Sequence, residues 1–265
     1  MLARERQSFI LERLRERGAV RVSDLTRMLA VSDMTVRRDL DLLERQGLLD
    51  KVHGGATAPG RPSTDEPGFE AKSARERREK DAIATLAAEM VRPGSAVGLS
   101  AGTTTWTLAH RLREVSDLTV VTNSVQIATV FYASPRPDQT IVLTGGVRTP
   151  SDALVGPIAD ATLRSLNLDI VFLGVHGMDS RTGFTSPNLL EAETSRALAR
   201  SARRLAVVAD RTKWGVVGIS TIAALAEADV LVTDSGIDPG ALAELTEQVG
   251  DVRLAPLPLP GRVTA

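Results

Sequence analysis

Six short apolar runs recur through the chain with helical or irregular stretches between them: "SAVGLS" (95–100), "LTVVTN" (118–123), "TIVLTGG" (140–146), "DIVFLGV" (169–175), "RLAVVAD" (204–210) and "DVLVTD" (229–234). Runs this short and this uniformly apolar fit strands buried on both faces, as in a parallel sheet whose crossovers cover it on either side. The pattern predicts a mainly parallel α/β unit over residues 71–255, followed by a tail at 256–265. A charged helix at roughly 71–91 leads into its first strand.

A second unit precedes it. "RERQSFILERLRERG" reads as an amphipathic helix closed by Gly18. After the short extended "AVRV", Ser23 is placed to cap a second helix with Leu25, Met28 and Leu29 inward. A third helix starts after Ser32 and ends before Gly47, with Val36, Leu40 and Leu43 at core spacing. Thr35, Arg37, Arg38, Asp41 and Arg45 are left facing outward. "LLDKVHGGAT" then reads as a hairpin or wing. Three helices and a wing within residues 1–57, with only a few residues between the second and third helix, form a winged helix-turn-helix. "APGRPSTDEPG", with no periodicity and five prolines and glycines, is read as a linker over 58–70.

Composition narrows the chemistry. The chain has 265 residues, enough for two domains, and no apolar run long enough to span a bilayer; its amino terminus is charged throughout, so a cytoplasmic protein is expected. There is no cysteine, which excludes disulfides and thiolate chemistry. His53, His110 and His176 are too scattered for a ligand cluster, so neither a metal nor a cofactor is expected. The net charge of −1 argues against a nucleic-acid binder, but residues 1–55 carry 11 basic against 9 acidic groups while the remainder is acidic overall.

A row of arginines is most often a solvated helix face. Here the row lies at the start of the second helix of a helix-turn-helix, the end that enters the major groove. There an arginine can pair bidentately with guanine and a threonine can meet a thymine methyl or a phosphate. Double-stranded DNA is therefore the expected macromolecular partner. One such unit covers a half-site, so a homodimer or homotetramer is expected as well.

In the second unit "GLSAGTTTWTLAHRL" runs a strand into a glycine turn and three threonines that open a helix. Free N–H groups, the helix dipole and the hydroxyls of Thr103, Thr104 and Thr105 suit a phosphate, with Gly102 permitting close approach. Simple capping fits the segment equally well. Gly98–Gly102 also fits the G-x-S-x-G nucleophile elbow, but a hydrolase needs a later histidine than His176, so no catalytic residue is assigned. Further candidates follow strand ends, where open α/β sheets collect ligands: Asn123 with Ser124, Gly145 with Gly146, Asp152 and Lys213. Lys213 reads either as a point charge for phosphate or as a surface lysine. Glu191 reads either as a ligand residue or as the acidic first turn of a helix.

"VSDMTVRRDLDLLERQGLLDKVHGGA" resembles the signature of DeoR-type bacterial transcriptional regulators, with its V-S-x-x-T-[IV]-R-R-D-L helix and H-G-G-A wing. "REKDAIATLAAEMV", "GLSAGTTTWTLA", "VVTNS", "LTGG", "DIVFLGVHG" and "ADRTKWG" are similar to blocks of that family's sensor domain, which resembles the phosphosugar isomerase fold. The resemblance spans about residues 3–235. It implies DNA contacts by Ser32, Thr35, Arg37 and Arg38, with Lys51 and His53 touching the backbone. It also implies a phosphorylated sugar or polyol effector, held by a set taken here as Ser100, Gly102, Thr103, Thr104, Thr105, Asn123, Gly146, Asp152, Glu191 and Lys213. The function it implies is a repressor released by that effector. The alternative is a phosphosugar isomerase with a DNA-binding appendage, but Asp152, Asp179 and Glu191 are not visibly arranged as a base.

Overall fold

The computed structural model describes residues 2–17, 19–46, 48–52, 54–57 and 68–257. Gly18, Gly47, His53, residues 58–67 of the expected linker and 258–265 of the expected tail lie outside them. The chain divides into two compact units, Met1–Asp65 and Glu66–Ala265. Among the described residues no helix is long and apolar enough to cross a membrane.

The first unit is α1 (Ala3–Arg17), β1 (Ala19–Arg21), α2 (Val22–Leu29), α3 (Asp33–Arg45), β2 (Asp50–Val52) and β3 (Gly55–Thr57). Strand β3 pairs antiparallel with β2 and with β1, so the wing is a three-stranded sheet with the helices' lead-in strand at its far side. Ile10, Leu14, Leu25, Leu29, Val36, Leu40, Leu43 and Leu49 close its core. Two expectations change. Met28 is 47% exposed, because the buried stripe of α2 is Val22, Leu25 and Leu29, and at 100° per residue Met28 falls on its margin. Ser23 does not cap α2. The helix starts one residue earlier, and the Val22 N–H is satisfied by the Gly54 carbonyl of the wing turn at 2.8 Å.

The second unit begins with α4 (Phe69–Ser73) and α5 (Arg77–Ala88), where one helix over 71–91 was expected. The break has a physical cause. Glu76 adopts the left-handed region at φ +47°, and the buried Lys80 ammonium donates to the carbonyls of Lys72 (2.5 Å) and Arg75 (2.6 Å), which a continuous helix would have used itself. There follow β4 (Ala96–Leu99), α6 (Thr103–Leu112), β5 (Thr119–Thr122), α7 (Val125–Tyr132), β6 (Thr140–Leu143), β7 (Val147–Arg148), β8 (Leu154–Val155) and α8 (Pro157–Arg164). The remainder is β9 (Ile170–Gly174), β10 (Gly177–Asp179), β11 (Gly183–Ser186), α9 (Leu189–Arg200), β12 (Leu205–Val208), β13 (Ser220–Ala223), β14 (Val230–Asp234), α10 (Pro239–Gln248) and β15 (Val252–Ala255).

All six apolar runs lie in one seven-stranded parallel sheet of order β15-β14-β12-β9-β4-β5-β6. Its seventh strand, β15, was not anticipated; "VRLA" carries an arginine and sits at the sheet's edge. Apolar layers cover both faces, one built on Leu173, Val207 and Leu231 and the other on Val97, Phe172 and Val208. Strand order runs outward from β4 through β5 to β6, then returns to β9 and runs outward the other way. The switch point therefore falls between β4 and β9, where open sheets leave a crevice at the carboxyl ends.

Candidate functional site

In the first unit Ser32 caps α3, its Oγ accepting the Thr35 N–H at 3.3 Å and lying 2.9 Å from the Thr35 hydroxyl. Arg37 is exposed and pairs with Asp33 one turn back, at 3.1 Å, a surface pair that a stronger acceptor displaces at little cost. Arg38 is exposed and, among the described residues, has no hydrogen bond or ion pair. Lys51, on β2, is tied to Asp41 of α3; the bond raises the Lys51 pKa and lowers that of Asp41. Thus Ser32, Thr35, Arg37 and Arg38 share the first two turns of one helix, and the wing lysine adjoins that helix. His53 lies outside the described residues.

The residue that sequence reasoning missed is Asp39. It is 5% exposed and accepts from Arg6 Nε at 2.7 Å and from Gln7 Nε2 at 3.2 Å, fastening α3 to α1. Its place between Arg38 and Leu40 gives no sign of this, because its partners lie over thirty residues earlier.

In the second unit the carboxyl end of β4 gathers several candidates. Ser100 Oγ accepts the Gly174 N–H at 2.9 Å, closing the β4–β9 seam. Asn123 is 3% exposed with both amide atoms engaged, Oδ1 taking the Ala101 N–H (2.8 Å) and Nδ2 giving to the Leu154 carbonyl (3.1 Å). It holds the glycine turn in place. Thr105 has spent its hydroxyl on the carbonyls of Ser100 (2.7 Å) and Gly102 (3.0 Å). Thr103 and Thr104 differ: they are 8% and 7% exposed, and among the described residues their hydroxyls have no hydrogen-bond partner. No side chain caps α6, so its first N–H groups are left without a side-chain partner beside these hydroxyls.

Asp152 lies beside this end but on another loop. It takes φ +65° and accepts from Gln126 Nε2 (3.1 Å) and from Arg148. Burial opposes its charge, yet those two donors hold its pKa below the ordinary carboxylate value. A cleft of about 430 Å³ opens against Asp152, lined also by Phe69, Glu70, Arg148 and Pro150, and not against Thr103–Thr105. Glu191, in the first turn of α9, accepts from the hydroxyls of Thr149 and Ser151 and so anchors the Asp152 loop. Gly146 sits at φ +119°, and a Cβ there would lie 2.6 Å from the Val155 carbonyl oxygen, so the backbone crossing is what requires glycine.

Lys213 ends a 3-10 turn, Arg211–Lys213, that follows β12. Its ammonium has no ion pair among the described residues. Strand β12 is two places from β4, roughly 10 Å at the usual strand spacing, and no hydrogen bond links Lys213 to the threonines. The structure thus brings Ser100, Gly102, Thr103, Thr104, Thr105 and Asn123 together, sets Gly146, Asp152 and Glu191 on an adjoining loop system, and leaves Lys213 across the seam.

Residues 6–61 match the DeoR-like helix-turn-helix domain, and residues 75–235 match the DeoR C terminal sensor domain. The Escherichia coli K12 regulator YgbI, described as an uncharacterized HTH-type transcriptional regulator, is 39% identical over 94% of this chain and 96% of its own. The glycerol-3-phosphate regulon repressor of the same organism is 30% identical over 92% of this chain and 95% of its own. Among solved structures, a D-ribose-5-phosphate isomerase in complex with phospho-erythronic acid overlays 52% of this chain and 54% of its own, with a TM-score of 0.39 and 18% identity.

Proposed function

The chain belongs to the DeoR family of DNA-binding transcriptional regulators, and from that premise we propose that it is a cytoplasmic repressor of a sugar or polyol catabolism operon, released from its operator by a phosphorylated sugar or polyol. The observation that carries the effector reading is the uncapped start of α6, where Thr103 and Thr104 have hydroxyls without a hydrogen-bond partner among the described residues, beside N–H groups that no side chain caps. Half a helix-dipole charge is little against a phosphate dianion, so a full cation is required nearby, and Lys213, unpaired across the seam, supplies it. The hydroxyls of the same ligand would meet the loop of Asp152 and Glu191. Ser32, Thr35, Arg37 and Arg38 would enter the major groove, with Lys51 leaving Asp41 for a DNA phosphate, and His53 completing the wing contact. A homodimer or homotetramer would present the paired recognition helices.

The effector reading is tested by thermal shift over phosphorylated sugars, glycerol 3-phosphate included, with free sugars as controls. A compound at about 100 times its dissociation constant stabilises by roughly 2.7 kcal/mol. Calorimetric titration of Lys213→Ala and Thr104→Val against the best compound should then show weakened binding while operator affinity stays intact, giving a repressor that no longer lets go. Undiminished affinity in both variants, or equal affinity for the unphosphorylated sugar, would leave the threonines as mere helix residues.

A further inference from the structure

We propose that Arg211 is the positioning residue that carries effector occupancy from the Lys213 turn to residues 68–79, the stretch of chain through which the second unit continues from the first. The proposal rests on the phosphate-site reading above. Asp210, Arg211, Thr212 and Lys213 form one tight turn at the carboxyl end of β12. Asp210, 1% exposed, secures it by accepting the Thr212 N–H at 3.0 Å and the Thr212 hydroxyl. Although burial opposes it, the charge of Lys213 beside it, with the Thr212 bonds and Lys80, keeps the Asp210 carboxyl below its usual pKa.

The other end of the turn faces a different set of partners. The Arg211 guanidinium reaches Glu79 at 2.9 Å, Asp234 at 3.0 Å and Glu76 at 3.2 Å, while its backbone N–H donates to Asp234 at 2.7 Å. Asp234 belongs to β14 and the two glutamates to the start of α5, so one side chain bolts the sheet to the head of that helix. Space for it is reserved by Gly236, where a Cβ would come within 2.9 Å of Arg211 Cδ. The head of α5 needs such a bolt: Glu76 is in the left-handed region, α4 is only five residues long, and the α4–α5 junction hangs on the Lys80 ammonium.

An anion drawn to Lys213 weakens the attraction between that cation and the nearby Asp210, and adds negative charge to a turn already facing Glu76, Glu79 and Asp234. Rearrangement of the four-residue turn moves Arg211 with it, and among the described residues every side-chain partner of Arg211 belongs either to β14 or to the head of α5. The displacement therefore reaches residues 76–79 directly, without passing through the apolar core. This gives the Lys213 turn and the head of α5 one shared element, Arg211, through which occupancy at the first can bias the second.

The test is hydrogen exchange on the full chain titrated with inorganic phosphate, and with glycerol 3-phosphate as a second probe. In the wild type both probes should alter exchange at the first turn of α6 and at the head of α5. Glu76→Gln/Glu79→Gln, which cuts the bolt on the α5 side and leaves Arg211 with Asp234, should keep the α6 response and the phosphate affinity. It should lose at least about fivefold of the α5 response, the lower bound of ordinary allosteric coupling. An α5 response that persists beside an intact α6 response overturns the role of Arg211 alone. No α6 response in the wild type overturns the phosphate-site reading and this proposal with it. Should the double variant melt below assay temperature, Arg211→Lys is judged by the same criteria, since an ammonium keeps the charge but not the fork that spans three carboxylates.

Discussion

Lys80 is charged, 5% exposed and satisfied by two backbone carbonyls, and desolvation lowers its pKa from 10.5 to about 8. A cation that binds its proton more weakly in the folded chain penalises folding in full below about pH 8, and the penalty fades as the pH climbs toward 10.5. The stability difference between wild type and Lys80→Met should accordingly rise across that window, by at most about 1.4 kcal/mol per pH unit, and a flat difference would mean the ammonium is not desolvated as described. At the same scale, Arg38 stands exposed without an ion-pair partner, so Arg38→Ala should leave the melting of the first unit unchanged while costing operator binding about 1–3 kcal/mol, as for a lost bidentate base contact. Gel-shift affinity at the wild-type level would place the recognition surface elsewhere.

Helix α3 joins reading to holding. One face carries Thr35, Arg37 and Arg38, and Asp39 beside them belongs to the core-side clamp with Arg6. Removing Asp39 takes away its ion pair with Arg6 at the α1–α3 contact, so Asp39→Ala should unfold the first unit early in urea while the sensor unit's transition stays put. A shared shift of both transitions would contradict the division into two units. The strands and α3 were legible because apolar spacing is a local signal: Val36, Leu40 and Leu43 declare a face, and six apolar runs declare six strands of one sheet, although β6, at its edge, has no buried residue. Illegible were features set by distant partners. Asp39 depends on Arg6, Val22 takes its cap from Gly54, and the break between α4 and α5 depends on where an ammonium finds carbonyls. The sensor candidates divide the same way: the free hydroxyls of Thr103 and Thr104 follow from a helix start, whereas the engaged amide of Asn123 and the hydroxyl partners of Glu191 needed the loops brought together.

For the whole molecule, the homodimer or homotetramer proposed above would read paired half-sites. Inserting about 5 base pairs between them, half a helical turn, should abolish tight binding, while about 10 should restore part of it. Binding indifferent to spacing would mean that single chains act alone. The order of the seven strands has its own consequence. Strands β4 to β6 and β9 to β15 are two successive blocks of chain, and within the sheet they meet at one pairing, β4 with β9, beside which Ser100 holds Gly174. A chain severed at the exposed turn around Ser165–Asn167, between α8 and β9, would yield one fragment for each block, Thr103 and Thr104 on the first and Lys213 on the second. An anion spanning that seam would then act as the glue between two separately made polypeptides, and its concentration could be read out as the yield of their reassembly.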